Sequence, residues 1–278
     1  MIEADRTFPA FSRSHRDRRD DSRPPIPLPR SALAATRFCD HAHPAVRAVM
    51  SELVADAGDS GELAIAVSAF EFVRDQVLYT LGPWGVPASS TLERRAGMCT
   101  NKANLLVALL RAAGIPAAYG VLRVNARDYF GVLGPSFLTS FISRESTHVY
   151  AAAFLCGRWV KCDPSTDREM AGRTAHFCSQ TKLIEWDGAR DSLDFLDPRH
   201  VHADLGLHPD IAEVFEKPPR GATPEHFAIW NDYIEFIRRE PPFHSSEELI
   251  AAYRSTPAGK ALLETLEEIP KDSHLGVD

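Results

Sequence analysis

The run from Ser90 to Pro116, STLERRAGMCTNKANLLVALLRAAGIP, limits how this chain can fold more than any other stretch. From Cys99 onward, Ala103, Leu105, Leu106, Leu109, Leu110 and Ala113 recur at helical spacing, with Gly114 as a stop and Pro116 beyond it. A helix this apolar is expected at the centre of a fold, buried on most of its faces. Ser90 and Glu93 form a capping-box pattern that predicts a short turn ahead of it, broken at Gly97. Cys99 opens the long helix, where the first backbone N–H groups and the positive end of the helix dipole favour a thiolate. A thiolate becomes a nucleophile only in the right company, so the remaining residues must supply a base.

The totals set the outer bounds. The chain has 278 residues, 44% hydrophobic and 25% charged, which suits one or two globular domains with a sizeable core. A formal charge of −7 indicates no basic face for nucleic acid. No apolar run approaches the roughly eighteen residues that cross a membrane, and the first residues lack the apolar stretch of a secretory signal. Five cysteines, Cys39, Cys99, Cys156, Cys162 and Cys178, are odd in number and lack the spacing of a disulfide framework. The expected location is therefore the reducing cytoplasm.

Residues 1–32 are rich in Arg, Asp, Ser and Pro and are expected to form a disordered tail. Helical patterns follow at 44–56 and 62–79. After Gly114 the period changes. Residues 117–124 read as a strand, and 125–146 as a long, partly apolar segment containing Tyr129, Phe130, Phe137, Leu138 and Phe141. Residues 148–155 and 158–163 read as two strands joined by a tight Cys156–Gly157 turn. A short helix is expected at 179–187, and helices at 208–215, 224–240, 245–255 and 257–268.

The hairpin supplies the base. If Leu155 pairs with Arg158, Asp163 falls opposite Tyr150, a same-face neighbour of His148. A four-residue loop would set Asp163 directly opposite His148. Both registers send the two side chains to one face, because strand side chains alternate with period two. A carboxylate beside an imidazole fixes its tautomer, leaving the other ring nitrogen for a thiol. Cys99, His148 and Asp163 thus have the chemistry of nucleophile, base and orienter, with the Cys99 backbone N–H in the oxyanion hole. Singly, each has an ordinary structural reading: a small buried thiol, a strand histidine, a turn aspartate. Jointly, their order, elements and facing agree.

Three blocks carry a resemblance: RAGMCTNKANLLVALLRAAGIPA, THVYAAAF and GRWVKCDPSTD. Over roughly residues 62–166 the chain resembles the transglutaminase-like superfamily. The resemblance implies an α+β fold with a papain-like core, in which a cysteine-bearing helix packs on an antiparallel sheet that carries His and Asp. It implies Cys99 as nucleophile, His148 as base and Asp163 as third member. Asn101–Lys102 and Val149–Tyr150 depart from the family pattern, a difference that bears on the substrate more than on the triad. The expected organisation is a tail over 1–32, a catalytic domain over 33–200 and a helical extension over 201–278 packed on the core.

The expected function is a cysteine-dependent amide hydrolase, peptidase or acyl-transfer enzyme working through an acyl-enzyme thioester. Its substrate would be a peptide, an amide or an acyl thioester. An arylamine N-acetyltransferase-like enzyme, an amide synthase acting on a carrier-bound thioester, and a catalytically inactive scaffold are the alternatives. Trp84, Tyr79 or the aromatic 129–141 segment could wall the acyl site. Arg94 and Arg95 flank the cysteine turn and could meet an anionic substrate. His200, His202, Asp204 and His208, with His176 and Cys178, have spacings a metal could use, but no C-x-x-C pair accompanies them and no metal or cofactor is expected.

Overall fold

Four helices occupy the first half of the chain: α1 (Pro44–Ala57), α2 (Gly61–Gln76), α3 (Ala88–Arg94) and α4 (Cys99–Ala112). Short strands β1 (Leu78–Tyr79) and β2 (Ala96–Gly97) pair in parallel between them. The computed structural model describes residues 30–127, 133–139, 144–193, 197–213, 215 and 223–268. Most of the expected N-terminal tail and part of the 125–146 segment lie outside the described residues. Within the tail, Arg30–Leu33 forms a turn of 3-10 helix whose Ala32 is buried.

Every residue from Thr100 to Arg111 is buried, so α4 is the hub that its apolar pattern predicts. Around it stand Val46 and Met50 of α1, Phe70 and Val73 of α2, and the inner face of a sheet. The buried polar residues of α4 are all bonded. Asn104 donates to the carbonyls of Phe38 (2.8 Å) and Val86 (3.3 Å) and accepts from the Tyr119 hydroxyl (2.7 Å). Arg111 donates to the carbonyls of Ala34, Ala117 and Pro209. These bonds avoid the ~1–3 kcal/mol that each orphaned buried polar group would cost.

The sheet contains β3 (Ala117–Asn125), β4 (Glu145–Leu155), β5 (Arg158–Cys162) and β6 (Val201–His208), in the order β5-β4-β3-β6 with every pair antiparallel. Leu155 pairs with Arg158, and Cys156 and Gly157 both take positive φ (50° and 80°) in the two-residue turn between them. This mirror-image turn matches the twist of the flanking strands.

A second apolar core lies beside the first. Short helices α5 (Ser136–Thr139) and α6 (Arg168–Thr174) and the C-terminal helices α7 (Pro224–Arg239), α8 (Ser246–Ser255) and α9 (Pro257–Glu268) build it. It gathers Leu138, Met170, Trp230, Tyr233, Ile237 and Tyr253, with Tyr79 and Leu81 packed against its edge. The three C-terminal helices match the sequence pattern, since each begins at a Ser or Thr side-chain cap or a proline and carries an apolar face.

Several local expectations need correction. Helix α3 starts at Ala88 behind Pro87, two residues before the Ser90 cap, and Arg95 in the left-handed region ends it before Gly97. Helix α2 stops at Gln76, because the Lys102 ammonium of α4 takes the carbonyls of Arg74 (3.3 Å) and Val77 (2.5 Å) that a continuing helix would use. Among the described residues, only Ser179–Thr181 and Ile211–Glu213 turn, as 3-10 segments, within the helices expected at 179–187 and 208–215. Helix α6 was not anticipated. Strand β6 corrects the reading of 201–278 as a helical extension, since its first eight residues complete the sheet. Its sequence alternates Val201, Ala203, Leu205 and Leu207 with His, Asp and Gly, a period-two strand signal that the reading of its His and Asp as a loop or metal site passes over. The strand is a half-exposed edge with two register shifts and Gly206 at φ 87°.

Candidate active site

Cys99 is the first residue of α4 and is partly exposed, with its Sγ 3.8 Å from the Thr100 hydroxyl. Asn101, one turn in, fixes the approach to the helix. Its Oδ1 accepts from the Met98 N–H (3.1 Å), and its Nδ2 donates to the carbonyls of Pro83 and Trp84 (3.2 Å each). Gly97 makes this packing possible: a Cβ there would lie 2.6 Å from the Asn101 Cβ. Helix start and preceding turn are thus locked to each other.

His148 lies on β4 and Asp163 just past the end of β5, both buried. The observed register sets Asp163 opposite Tyr150, the first of the two arrangements expected. The His148 Nε2 bonds the Asp163 Oδ2. Asp163 is itself held, because its Oδ1 accepts from the Ser165 N–H at 2.8 Å. The Cys99 thiol interacts with the His148 side chain and with the Val149 backbone N–H. The three residues singled out in the sequence therefore come together.

The electrostatics of the pair oppose burial and overcome it. Burial alone would push the Cys99 thiol up, but the His148 bond and charge, with the Val149 N–H, bring it below its ordinary value. Burial alone would lower His148, but the Asp163 carboxylate and the thiol raise it to about 10. Both shifts favour the thiolate–imidazolium form. Burial pushes Cys39, Cys162 and Cys178 the other way.

The other candidates take different places. Trp84 packs edge-on to Phe38 (5.2 Å) and stacks on Phe215 (4.7 Å), with its carbonyl bonded to Asn101. Tyr79 borders the second core. Of the 129–141 segment, 129–132, 140 and 141 lie outside the described residues; Leu138 is buried in the second core, and the Leu133 carbonyl accepts from the Tyr233 hydroxyl at 2.7 Å. Arg94 is bonded within its own helix, and Arg95 lies over the Phe72 ring (4.8 Å). His202 faces Glu145, Asp204 takes Lys161 (3.0 Å), His208 contacts the Leu205 carbonyl, and His176 bonds the Phe243 carbonyl. Among the described residues no three His, Cys, Asp or Glu side chains cluster as a metal would require.

Sequence reasoning missed a set of supporting residues. Arg238 and Asn231 carry no motif, while Asp167 closes the GRWVKCDPSTD block and Lys102 departs from the family pattern, neither with a role that the sequence assigns. Their partners are 65 to 159 residues away or reached through backbone atoms, which leaves no trace in periodicity.

Residues 48–164 match the family described as the transglutaminase-like superfamily. This stretch is a transglutaminase-like domain. It holds Cys99, His148 and Asp163 and ends one residue after the last of them. The superfamily is one of cysteine-dependent enzymes, and the fold is α+β with a papain-like core, the transglutaminase-like cysteine helix packed against an antiparallel sheet. No curated protein matches the chain. Among solved structures, a proposed cysteine protease from Cytophaga hutchinsonii is similar at 18% identity and a TM-score of 0.43, covering 66% of this chain and 48% of its own. The periplasmic domain of TgpA from Pseudomonas aeruginosa, bound to ethylmercury, is similar at 21% identity and a TM-score of 0.33, covering 52% and 51%. The chain spans about half the length of these two structures. Among the described residues, no helix is long and apolar enough to cross a membrane.

Proposed function

We propose that the chain is a transglutaminase-like cysteine acyl-transfer enzyme, with Cys99 as nucleophile, His148 as proton carrier and Asp163 as the group that orients it. The observation that carries this reading is the hydrogen-bonded line from the Cys99 thiol through His148 to Asp163 at the start of a buried helix. The shifts of the first two groups favour a thiolate already formed and an imidazolium already charged.

From that state the thiolate attacks an amide or thioester carbonyl and forms the C–S bond. The carbonyl electrons become an oxyanion, held by backbone N–H groups of the first turn of α4, Cys99 first among them; one such donor is typically worth about 10²–10³ in turnover. Collapse of the oxyanion expels the leaving group, which takes the His148 proton. Neutral His148 then accepts a proton from water or an amine as that molecule attacks the thioester. A second collapse releases the acyl product and returns the thiolate and imidazolium.

The proposed substrates are peptides, amides or acyl thioesters. Five free thiols favour a cytoplasmic location. Limiting iodoacetamide at pH 6, followed by mapping of the label, tests the centre. Strong labelling of Cys99 that is lost in His148→Ala supports it, whereas slow and equal labelling of all five cysteines would sink it. Peptides, glutaminyl amides and acyl thioesters, each with and without an amine, then separate hydrolysis from transfer.

A further inference from the structure

A buried group of charges joins this centre to the C-terminal helices. Asp167, four residues past Asp163, is fully buried, and three donors converge on it: the Arg238 guanidinium (2.7 Å) and the backbone N–H groups of Tyr79 (2.6 Å) and Met170 (2.8 Å). Arg238, on α7, also donates to the Tyr79 carbonyl (2.9 Å), and its Nε lies 4.0 Å from the exposed Glu169 carboxylate. The Lys102 ammonium faces the same space and feels both Asp167 and Asp163, as well as Arg238 and Asp75. Two turns earlier on α7, Asn231 donates to the Leu81 carbonyl (2.9 Å) and accepts from its N–H (2.7 Å).

These contacts fall on the two segments that set the thiol centre. Tyr79 pairs with Gly97 in the short parallel sheet, two residues before Cys99. The 163–167 loop begins at the carboxylate that holds His148. Helix α7 grips both, and Arg238 is the side chain that touches both at once. Stability alone does not call for an ion pair here, because apolar residues of similar volume commonly replace a buried pair at no loss. A forked cation that bonds a carboxylate and a carbonyl together is a device for geometry.

We propose that Arg238 is a positioning residue: through Asp167 and Tyr79 it sets the Asp163 loop and the Cys99 turn relative to each other, so that the reactivity of the thiol depends on the C-terminal helix. The inference rests on the proposed role of Cys99, His148 and Asp163.

The test is the pH dependence of Cys99 alkylation by iodoacetamide in the full chain, read by mass spectrometry beside a thermal melt. The variants are Arg238→Met, Arg238→Lys and the charge-balanced pair Arg238→Met with Asp167→Asn. In Arg238→Met the alkylation midpoint is expected to rise by about one pH unit, a roughly tenfold slower reaction at pH 6. Arg238→Lys should recover part of that shift. The double variant should regain melting temperature while keeping the raised midpoint, and it carries the test if Arg238→Met does not fold. A folded variant without Arg238 whose alkylation profile matches wild type would overturn the proposal, leaving Arg238 a purely structural tie. If wild-type Cys99 reacts no faster than exposed Cys156, the reading of the centre itself fails, and this inference with it.

Discussion

Asp163 bonds His148 diagonally across two strands, two residues removed from direct opposition. The two-residue turn at Cys156–Gly157 sets that offset by pairing Leu155 with Arg158, and side chains at such diagonal positions remain within reach of each other. The imidazole thus meets two partners, the Asp163 carboxylate on Nε2 and the Cys99 thiol.

Asp163→Asn is expected to leave the fold intact and to slow turnover by about 10²–10⁴, since an amide can hold the wrong tautomer of His148. Steady-state rates beside a circular-dichroism melt check this. A variant within threefold of wild type would count against the oriented imidazole.

The hairpin turn offers a gain. Cys156 sits at φ 50°, a conformation that asparagine tolerates and most other side chains resist. Cys156→Asn should create the favoured Asn-Gly turn and raise stability by roughly 0.5–1 kcal/mol, read as a higher urea midpoint at unchanged slope.

Gly97→Ala should do the reverse. The added methyl would meet the Asn101 Cβ at 2.6 Å, and Asn101 holds both the Met98 N–H and the 83–84 carbonyls. A loss of about 1–3 kcal/mol is expected. Cys99 alkylation should slow in parallel, because the same residue anchors the thiol turn.

Lys102 and His148 predict opposite responses to pH. Burial holds the Lys102 amine at about 7, against the pull of Asp167 and Asp163, while in the unfolded chain it keeps its proton to about 10.5. Between those values the unfolded state binds more protons, so this group adds stability as pH rises from 7 toward 10.5. His148, raised from 6.5 to about 10 by Asp163 against burial, stabilises the fold below 6.5 and loses that contribution as pH climbs to 10. Lys102→Met removes the first effect and keeps the second. It also strips a donor from the carbonyls of Arg74 and Val77, at about 1–3 kcal/mol each. Its deficit relative to wild type should therefore be larger at pH 9.5 than at pH 7 in urea unfolding. An equal deficit at both would contradict a depressed ammonium.

The sequence by itself determined the buried helix that Cys99 opens, the turn at Cys156–Gly157, the place of His148 on one strand and of Asp163 at the end of the next, and the three C-terminal helices. Each is written in spacing within about twenty residues: helical period, strand alternation, a glycine stop, a capping side chain. Only the tertiary structure decided the rest. Strand β6 carries an apolar–polar alternation of its own, but that it joins the sheet at the edge of β3, some eighty residues away, is not written in it. Lys102 ends α2 by bonding carbonyls 25 and 28 residues back, and Arg238 meets Tyr79 and Asp167 across 159 and 71 residues. Long-range polar contacts made through backbone atoms impose no periodicity on the residues between them. Only packing reveals them.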